Sequence, residues 1–452
     1  MKPAAWCLCS ALACLGLITP ALLLAQSADR TPSPLPPLPT LRPAQAITLR
    51  AAIQQADQAN RSLKVIRLDL EAATIKRRAA YAALLPSLDA TLDYALVAGS
   101  TPGSAQPGTA FMDRREYSAG LEARLPIVHA QRWMNLELAR LEQETRILDV
   151  EQARQALLYG VAETYFQAAL LQRLIAVFQA QAEALSRHVE AAVERYRSGV
   201  GDLVDVKRAQ TDLISVREEQ LKALVALEDT RDALALLIAA GQLLQPVDDP
   251  QELASPPPWT TEAIERALAQ RWDLRLSERS VDLAQQSLTI EWLSLVPSLD
   301  ASVQLAHVVP AHDPLGDAAR NQWLAGLVLT VPLLDATVVP ALQDRQLSVQ
   351  QARLHLEDAR ASAATELSRV QRALVEAEQL VATARLKARL ADDALELSQA
   401  NYINGLGSAL TVVDARRTSQ TAHVELETRR FELELRRLAQ ARATGTDIAH
   451  AL

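Results

Sequence analysis

Two hydrophobic periods take turns along this chain. Leu88, Ala90, Leu92, Tyr94 and Leu96 alternate with Asp89, Thr91, Asp93 and Ala95. The period of two returns in Tyr117, Ala119, Leu121, Ala123 and Leu125, in Leu299, Ala301, Val303 and Leu305, and in Trp323, Ala325, Leu327, Leu329 and Val331. A single apolar face is strand geometry, so strands are predicted over about 87–97, 117–126, 298–308 and 323–332. Each is about ten residues, the length of a tilted strand that crosses a bilayer. Elsewhere the period lengthens. From Val150 a 4-3 spacing falls on Arg154, Leu157, Val161, Thr164, Ala168, Leu171, Ile175, Phe178, Ala182, Leu185, Val189, Ala192 and Tyr196, and only Arg154 and Thr164 interrupt the seam. That is a coiled-coil pattern. Val128–Ser198 holds no proline and is predicted as one helix on the order of 100 Å long.

The chain repeats itself. Pro86-Ser87-Leu88-Asp89-Ala90 returns as Pro297-Ser298-Leu299-Asp300-Ala301, Leu125-Pro126 as Val331-Pro332, and Tyr196, Gly199 and Gly201 as Tyr402, Gly405 and Gly407. Each half reads helix, strand, loop, strand, long helix, glycine turn, helix. Helices over Ile47–Leu85 and Leu203–Ala240, laid end to end, match the long helix between them. Thr261–Val296 and Ala409–Ala443 match Asp335–Asn404 in the same way, and Pro340 predicts a late start for that helix. Pro86 and Pro297 turn the preceding residue away from helix. Pro126 and Pro332 are expected in the first turn of the returning helix, where a missing N–H is tolerated. Ala98–Glu116 and Val309–Gln322 are predicted as exposed loops. The predicted organisation is a signal peptide at 1–28, a Pro-rich tether at 29–45, a first repeat at 46–243, a linker at 244–259 at the rod's waist, a second repeat at 260–443 and a tail at 444–452.

Composition agrees with long helices: aromatics are 4% of 452 residues and Gly only 14. A net charge of −8 with interspersed arginines gives no basic patch, which excludes nucleic acid as a partner. Lys2, an apolar stretch over Ala4–Leu24 and small residues at Ala25, Ser27 and Ala28 read as a secretory signal. It contains Cys7, Cys9 and Cys14, so the mature chain is expected to have no disulfide, thiolate metal site or cysteine nucleophile. The 7 histidines show no metal-ligand spacing. The Gly-x-Gly turns follow helices and lack the third glycine of a dinucleotide loop. No catalytic residue, metal or cofactor is predicted, and the frequent Glu/Arg spacing reads as solvated helix faces.

Four strands cannot close a barrel, and open strand edges are not tolerated in hydrocarbon. Closure needs several copies; three give twelve strands with cyclic symmetry. The expected fold is mainly α with a membrane β part: two repeats, coiled-coil helices forming an α-barrel, and four strands per chain in a trimeric twelve-stranded barrel. No helical span competes outside the signal, since the uncharged run Ala233–Val247 is too short. A periplasmic coiled-coil scaffold without a pore is the alternative; it has no use for four bilayer-length strands.

The paired proline–strand turns, the strand-ending prolines, Glu163-Thr164-Tyr165 and the two Tyr-x-x-Gly turns, in duplicate and in order, resemble the TolC-like outer membrane efflux protein family over Ile47 to about Ala443. The resemblance implies a homotrimeric channel-tunnel in outer membrane lipid that extends into the periplasm. It implies docking on a periplasmic adaptor (membrane fusion) protein and an inner-membrane transporter, as a passive exit duct for efflux or type I secretion.

The same resemblance puts the glycine turns at the periplasmic tip, as gate and adaptor-docking site: Tyr196, Gly199, Gly201, Asp202 and Asp205 in the first, Tyr402, Gly405, Gly407, Thr411 and Asp414 in the second. Glycine supplies positive φ and a close backbone approach; Asp202 and Ser408 are predicted helix caps. Asp205 and Asp414, repeated three-fold, would make carboxylate rings that select or bind cations. Gated family members carry Arg where this chain has Gly407 and Asp where it has Thr411, so closure by tip packing and hydrogen bonding, without an arginine link, is expected. Tyr94, Phe111, Tyr117 and Trp323 are candidates for an interfacial belt, and Trp133 and Trp292 flank the strand pairs on the helical side.

Overall fold

The computed structural model describes residues 37–99, 112–247, 261–311, 320–404 and 406–448. The signal segment, Phe111 and Gly405 lie outside the described residues. In chain order the elements are β1 (Gln45–Ile47), α1 (Leu49–Ala59), α2 (Arg61–Ala82), β2 (Ser87–Gly99), β3 (Met112–Val128), α3 (Ala130–Arg197), α4 (Leu203–Ile238), β4 (Leu244–Pro246), α5 (Thr261–Gln270), α6 (Trp272–Trp292), β5 (Ser298–Ala311), β6 (Arg320–Thr330), α7 (Val338–Ile403) and α8 (Ala409–Ala443).

Strands β2, β3, β5 and β6 form one antiparallel sheet in the order β2-β3-β5-β6. The strands run into the predicted loops, because the β2–β3 ladder continues out to Gly99↔Met112 and β5 to Ala311. Register puts Ala90, Leu121, Leu305 and Trp323 in one row, and Asp89, Glu122, Gln304 and Leu324 in the next row, on the opposite face. The first face is apolar throughout its middle. Leu92, Leu305, Trp323 and Leu327 all stand exposed on it. The second face is polar except on β6, where Leu324 and Val328 are exposed too. Pro126 lies inside β3, not in a helix, at a bulge where the register against β5 shifts between Pro126 and Val128. A proline cannot donate to the ladder, and a bulge is where a strand tolerates that. Residues 331–337 after β6 are also non-helical, and Pro340 occupies the first turn of α7.

The helices are as long as the seam predicts: α3 has 68 residues and α7 has 66. Helix α3 packs on α2 and α4, α7 packs on α6 and α8, and α3 also meets α6 and α8. The helices before each strand pair are each split in two. The first breaks at Asn60, whose side chain accepts from Leu63 N at 2.9 Å and caps α2. Its Nδ2 donates to Leu237 O in the last turn of α4 at 2.7 Å. The second breaks at Arg271, whose Nη1 donates to Ala443 O, the last residue of α8, at 3.2 Å. Each break thus satisfies a carbonyl that the end of the neighbouring helix leaves free.

The main buried cluster sits midway along α3. Leu158, Val161, Ala162 and Tyr165 meet Ala52, Ile53 and Ala56 of α1, Leu234 and Ile238 of α4, Ile47, Leu244, Leu438 and Ile448. Two segments expected to be connectors belong to it. β1 and β4, at the ends of the tether and the linker's start, pair in parallel, and the Tyr165 hydroxyl bonds to Ile47 O at 3.2 Å and Val247 O at 2.9 Å. Residues 444–448 are docked: Asp447 pairs with Arg154 at 3.2 Å and Ile448 is buried. The seam's charged Arg154 is explained by Asp57, Glu151 and Asp447 around it.

Candidate functional site

Both hairpin turns are helix C-caps of one kind. After α3, Val200 N bonds to Arg195 O at 3.0 Å and Gly199 N to Tyr196 O at 3.0 Å, with Gly199 at φ 76°. This is a Schellman motif, which consumes the last free carbonyls of the helix. Gly201 is needed for another reason: a Cβ there would lie 3.1 Å from the backbone of Arg195 and Tyr196. After α7, Leu406 N bonds to Asn401 O at 2.8 Å, and a Cβ on Gly407 would lie 3.3 Å from Tyr402 N. Asp202 caps α4 by accepting from Val204 N at 3.1 Å, and Ser408 caps α8 by accepting from Thr411 N at 3.2 Å. The Thr411 hydroxyl shares a 2.8 Å hydrogen bond with Ser408, so Thr411 belongs to the cap.

Among the described residues, one side-chain hydrogen bond joins the two turns. Arg195 Nη1 donates to the Tyr402 hydroxyl, and its guanidinium carbon stands 5.0 Å from the centre of the Tyr402 ring. This contact is a hydrogen bond, and its arginine comes from the first turn and not from the position of Gly407. Sequence reading missed Arg195 because each turn was read as a motif by itself, whereas the bond crosses between them. Tyr196 is exposed and Asp205 stands in the first turn of α4, exposed.

Above the turns, the seam between the α3–α4 and α7–α8 hairpins opens into a cavity of about 570 Å³. His188, Asp212, Glu219, Asp414, Arg416 and Arg417 line it, with Phe178, Leu185 and Val424 as apolar wall. Asp414 faces this cavity; Asp205 is not part of its lining. Burial, and then Arg416, push the His188 pKa below its ordinary value, against the opposing pull of Asp212 and Asp205. Arg416 Nη1 is buried with no hydrogen-bond partner among the described residues. Among the described residues, no group of three or more His, Cys, Asp or Glu side chains is arranged to hold a metal ion, and no helix is long and apolar enough to cross a membrane.

The known proteins this chain resembles share its architecture. The family model for outer membrane efflux proteins matches residues 52–240 and 263–446, one match per repeat. The outer membrane protein TolC of Vibrio cholerae is 25% identical over 346 residues, covering 73% of this chain and 76% of that protein. TolC of Escherichia coli is 22% identical over 414 residues, covering 89% and 83%. Among solved structures, the channel CusC superposes with a TM-score of 0.79 at 18% identity, covering 94% of this chain and 99% of CusC. With a family match across both repeats and a shared fold, this chain belongs to the outer membrane efflux protein family and resides in the outer membrane, reaching into the periplasm.

Proposed function

We propose that this protein is a channel-tunnel, the passive exit duct of a tripartite efflux or type I secretion system, and that it works as a homotrimer. The observation that carries the reading is the sheet. Its four strands have one apolar face that none of the described residues covers, and among the described residues its outer strands β2 and β6 each have an unpaired edge. Such edges are not tolerated in hydrocarbon. Two further copies supply the missing partners and give twelve strands. The helices α3, α4, α7 and α8 then extend the wall as a tube below the sheet, and residues 1–28 serve as the leader that sends the chain out of the cytoplasm.

The two glycine turns form the periplasmic mouth of this duct. A periplasmic adaptor docks there and links it to an inner-membrane transporter that supplies the energy. The duct itself performs no catalysis. Asp205 and Asp414, repeated around the three-fold axis, favour cations at the mouth. Conductance of the purified protein in a planar bilayer tests this. The duct reading expects ionic current with preference for cations, and a lower preference in Asp205→Asn and Asp414→Asn. A protein that enters no bilayer and passes no current is the pore-less scaffold instead.

A further inference from the structure

We propose that neighbouring chains are zipped together below the sheet. Helix α2 of one chain and α7 of the next form an antiparallel coiled coil in a single register, and charges at its lower end restrict the neighbour to another copy of this chain. The inference rests on the homotrimer reading and names the residues that hold that trimer together along its helices.

Both helices stand at the end of a row. Helix α2 packs on α3, α3 on α6 and α6 on α7, so α2 and α7 flank this row as β2 and β6 flank the sheet. Helix α2 leads into β2, and α7 follows β6. Pairing of β6 with the next chain's β2 therefore sets α7 beside the next chain's α2, running the opposite way. Each helix is apolar on the side turned from its own chain. Val65 and Ile75 come two residues after the buried Leu63 and Ala73, and Leu347 and Leu354 stand two residues from the buried Val349 and Ala352. Two residues are roughly half a helical turn, so all four lie on the far face. These four and Leu68 are each more than half exposed.

The two exposed faces fit in one register. Val65, Leu68, Ala72, Ile75 and Ala79 recur at the alternating three- and four-residue spacing of a coiled-coil seam, and so do Leu347, Gln351, Leu354, Asp358 and Ala361. Counted from the helix ends nearest the sheet, Ala82 and Val338, Ala72 stands level with Leu347, Val65 with Leu354 and Arg61 with Asp358, each pair to within one residue. A leucine on α7 thus meets a smaller side chain on α2 in both apolar layers, which lets the helices approach. Below these layers Arg61 and Lys64 face Glu357 and Asp358, two cations against two carboxylates. All four are exposed, and among the described residues none has an ion pair or a side-chain hydrogen bond. A slip of one heptad puts Gln350 and Gln351, or Ala364 and Thr365, in place of the carboxylates. The charges therefore select the register and the partner, as flanking charges do in coiled coils.

Disulfide formation in the full-length protein tests the register. Val65→Cys and Leu354→Cys in one chain are expected to give covalent trimers on mild oxidation. Val65→Cys with Leu347→Cys, one heptad or about 10 Å out of line, should give none. Exchange of charge tests the selection and needs no new bond. Arg61→Glu with Lys64→Glu should lower the yield of trimer on native gels several-fold, and adding Glu357→Lys and Asp358→Lys should restore it. The fully exchanged chain, expressed together with a tagged unaltered chain, should form trimers of its own rather than mixed ones. Trimers that crosslink only through the shifted pair or not at all, or that mix freely, overturn the zipper and leave the homotrimer standing. Absence of a trimer from the unaltered protein itself overturns the homotrimer reading, and the zipper with it.

Discussion

At residue 60 the first repeat breaks its strand-bound helix with an asparagine, and at residue 271 the second repeat uses an arginine. These are equivalent positions, since Asn60 precedes Pro86 by the same number of residues as Arg271 precedes Pro297. Their acceptors are equivalent too: Leu237 lies beyond Gly201 as Ala443 lies beyond Gly407. One geometric task, splicing two short helices end to end beside a long one, is thus solved with a neutral amide in one repeat and with a cation in the other. The cation brings company. Arg271 is 8% exposed and binds Asp273 and Glu366, both at 2.7 Å. The residue after the descending helix differs as well. Ala239 and Gly445 both take positive φ, at 55° and 69°. A Cβ on Gly445 would lie 3.0 Å from the Gln270 backbone, so the second joint leaves no room for a side chain there.

This asymmetry predicts unequal sensitivity. Arg271→Ala should have the largest effect, because it leaves two carboxylates and the Ala443 carbonyl without their donor; a loss of about 3 kcal/mol is expected. Asn60→Ala should cost only about 1–2 kcal/mol, a cap and one neutral hydrogen bond. Thermal melting of the helical circular dichroism signal in detergent would compare them, and equal losses would refute the distinction. Gly445→Ala comes next. A Cβ must enter both a left-handed backbone and a 3.0 Å gap, for a loss of about 2 kcal/mol or more. The same melt should show little residual folding of the second joint.

A smaller effect concerns pH. The His188 pKa in the folded protein lies below its ordinary value, so the proton binds the unfolded state more readily. The associated stability is intact above the ordinary histidine pKa of about 6.5 and declines as pH falls below it. Arg416 and Arg417 from α8 and Asp212, Asp205 and Glu219 from α4 share that neighbourhood. His188→Gln should flatten the drop in melting temperature between about pH 7.5 and pH 5.5, and an unchanged slope would assign it elsewhere. The smallest change is a gain. Ala239→Gly relieves a left-handed alanine and should stabilise the first joint by about 0.5–1 kcal/mol, bringing it nearer to its counterpart at Gly445.

The sheet and the long helices were legible because each carries a sustained period, two in the strands and, in α3, a 4-3 seam broken only at Arg154 and Thr164. The breaks at Asn60 and Arg271 were not, since neither is a glycine or proline and the apolar period runs past both. Superposing the two repeats residue by residue is the signal that finds them. β1 and β4 are three residues each, too short for any period, and the buried Ile47, Leu244 and Pro246 mark them. At the tips, the glycines and caps were legible from the turn chemistry of each repeat alone. Arg195 was not, because its partner lies on the other repeat, more than two hundred residues away.

The central claim is that one chain supplies a third of a barrel. The number of chains in the protein extracted from outer membranes, measured by native mass spectrometry in a lipid nanodisc, tests it most directly. The account predicts three chains per disc. A single chain, stable and embedded without companions, would contradict it.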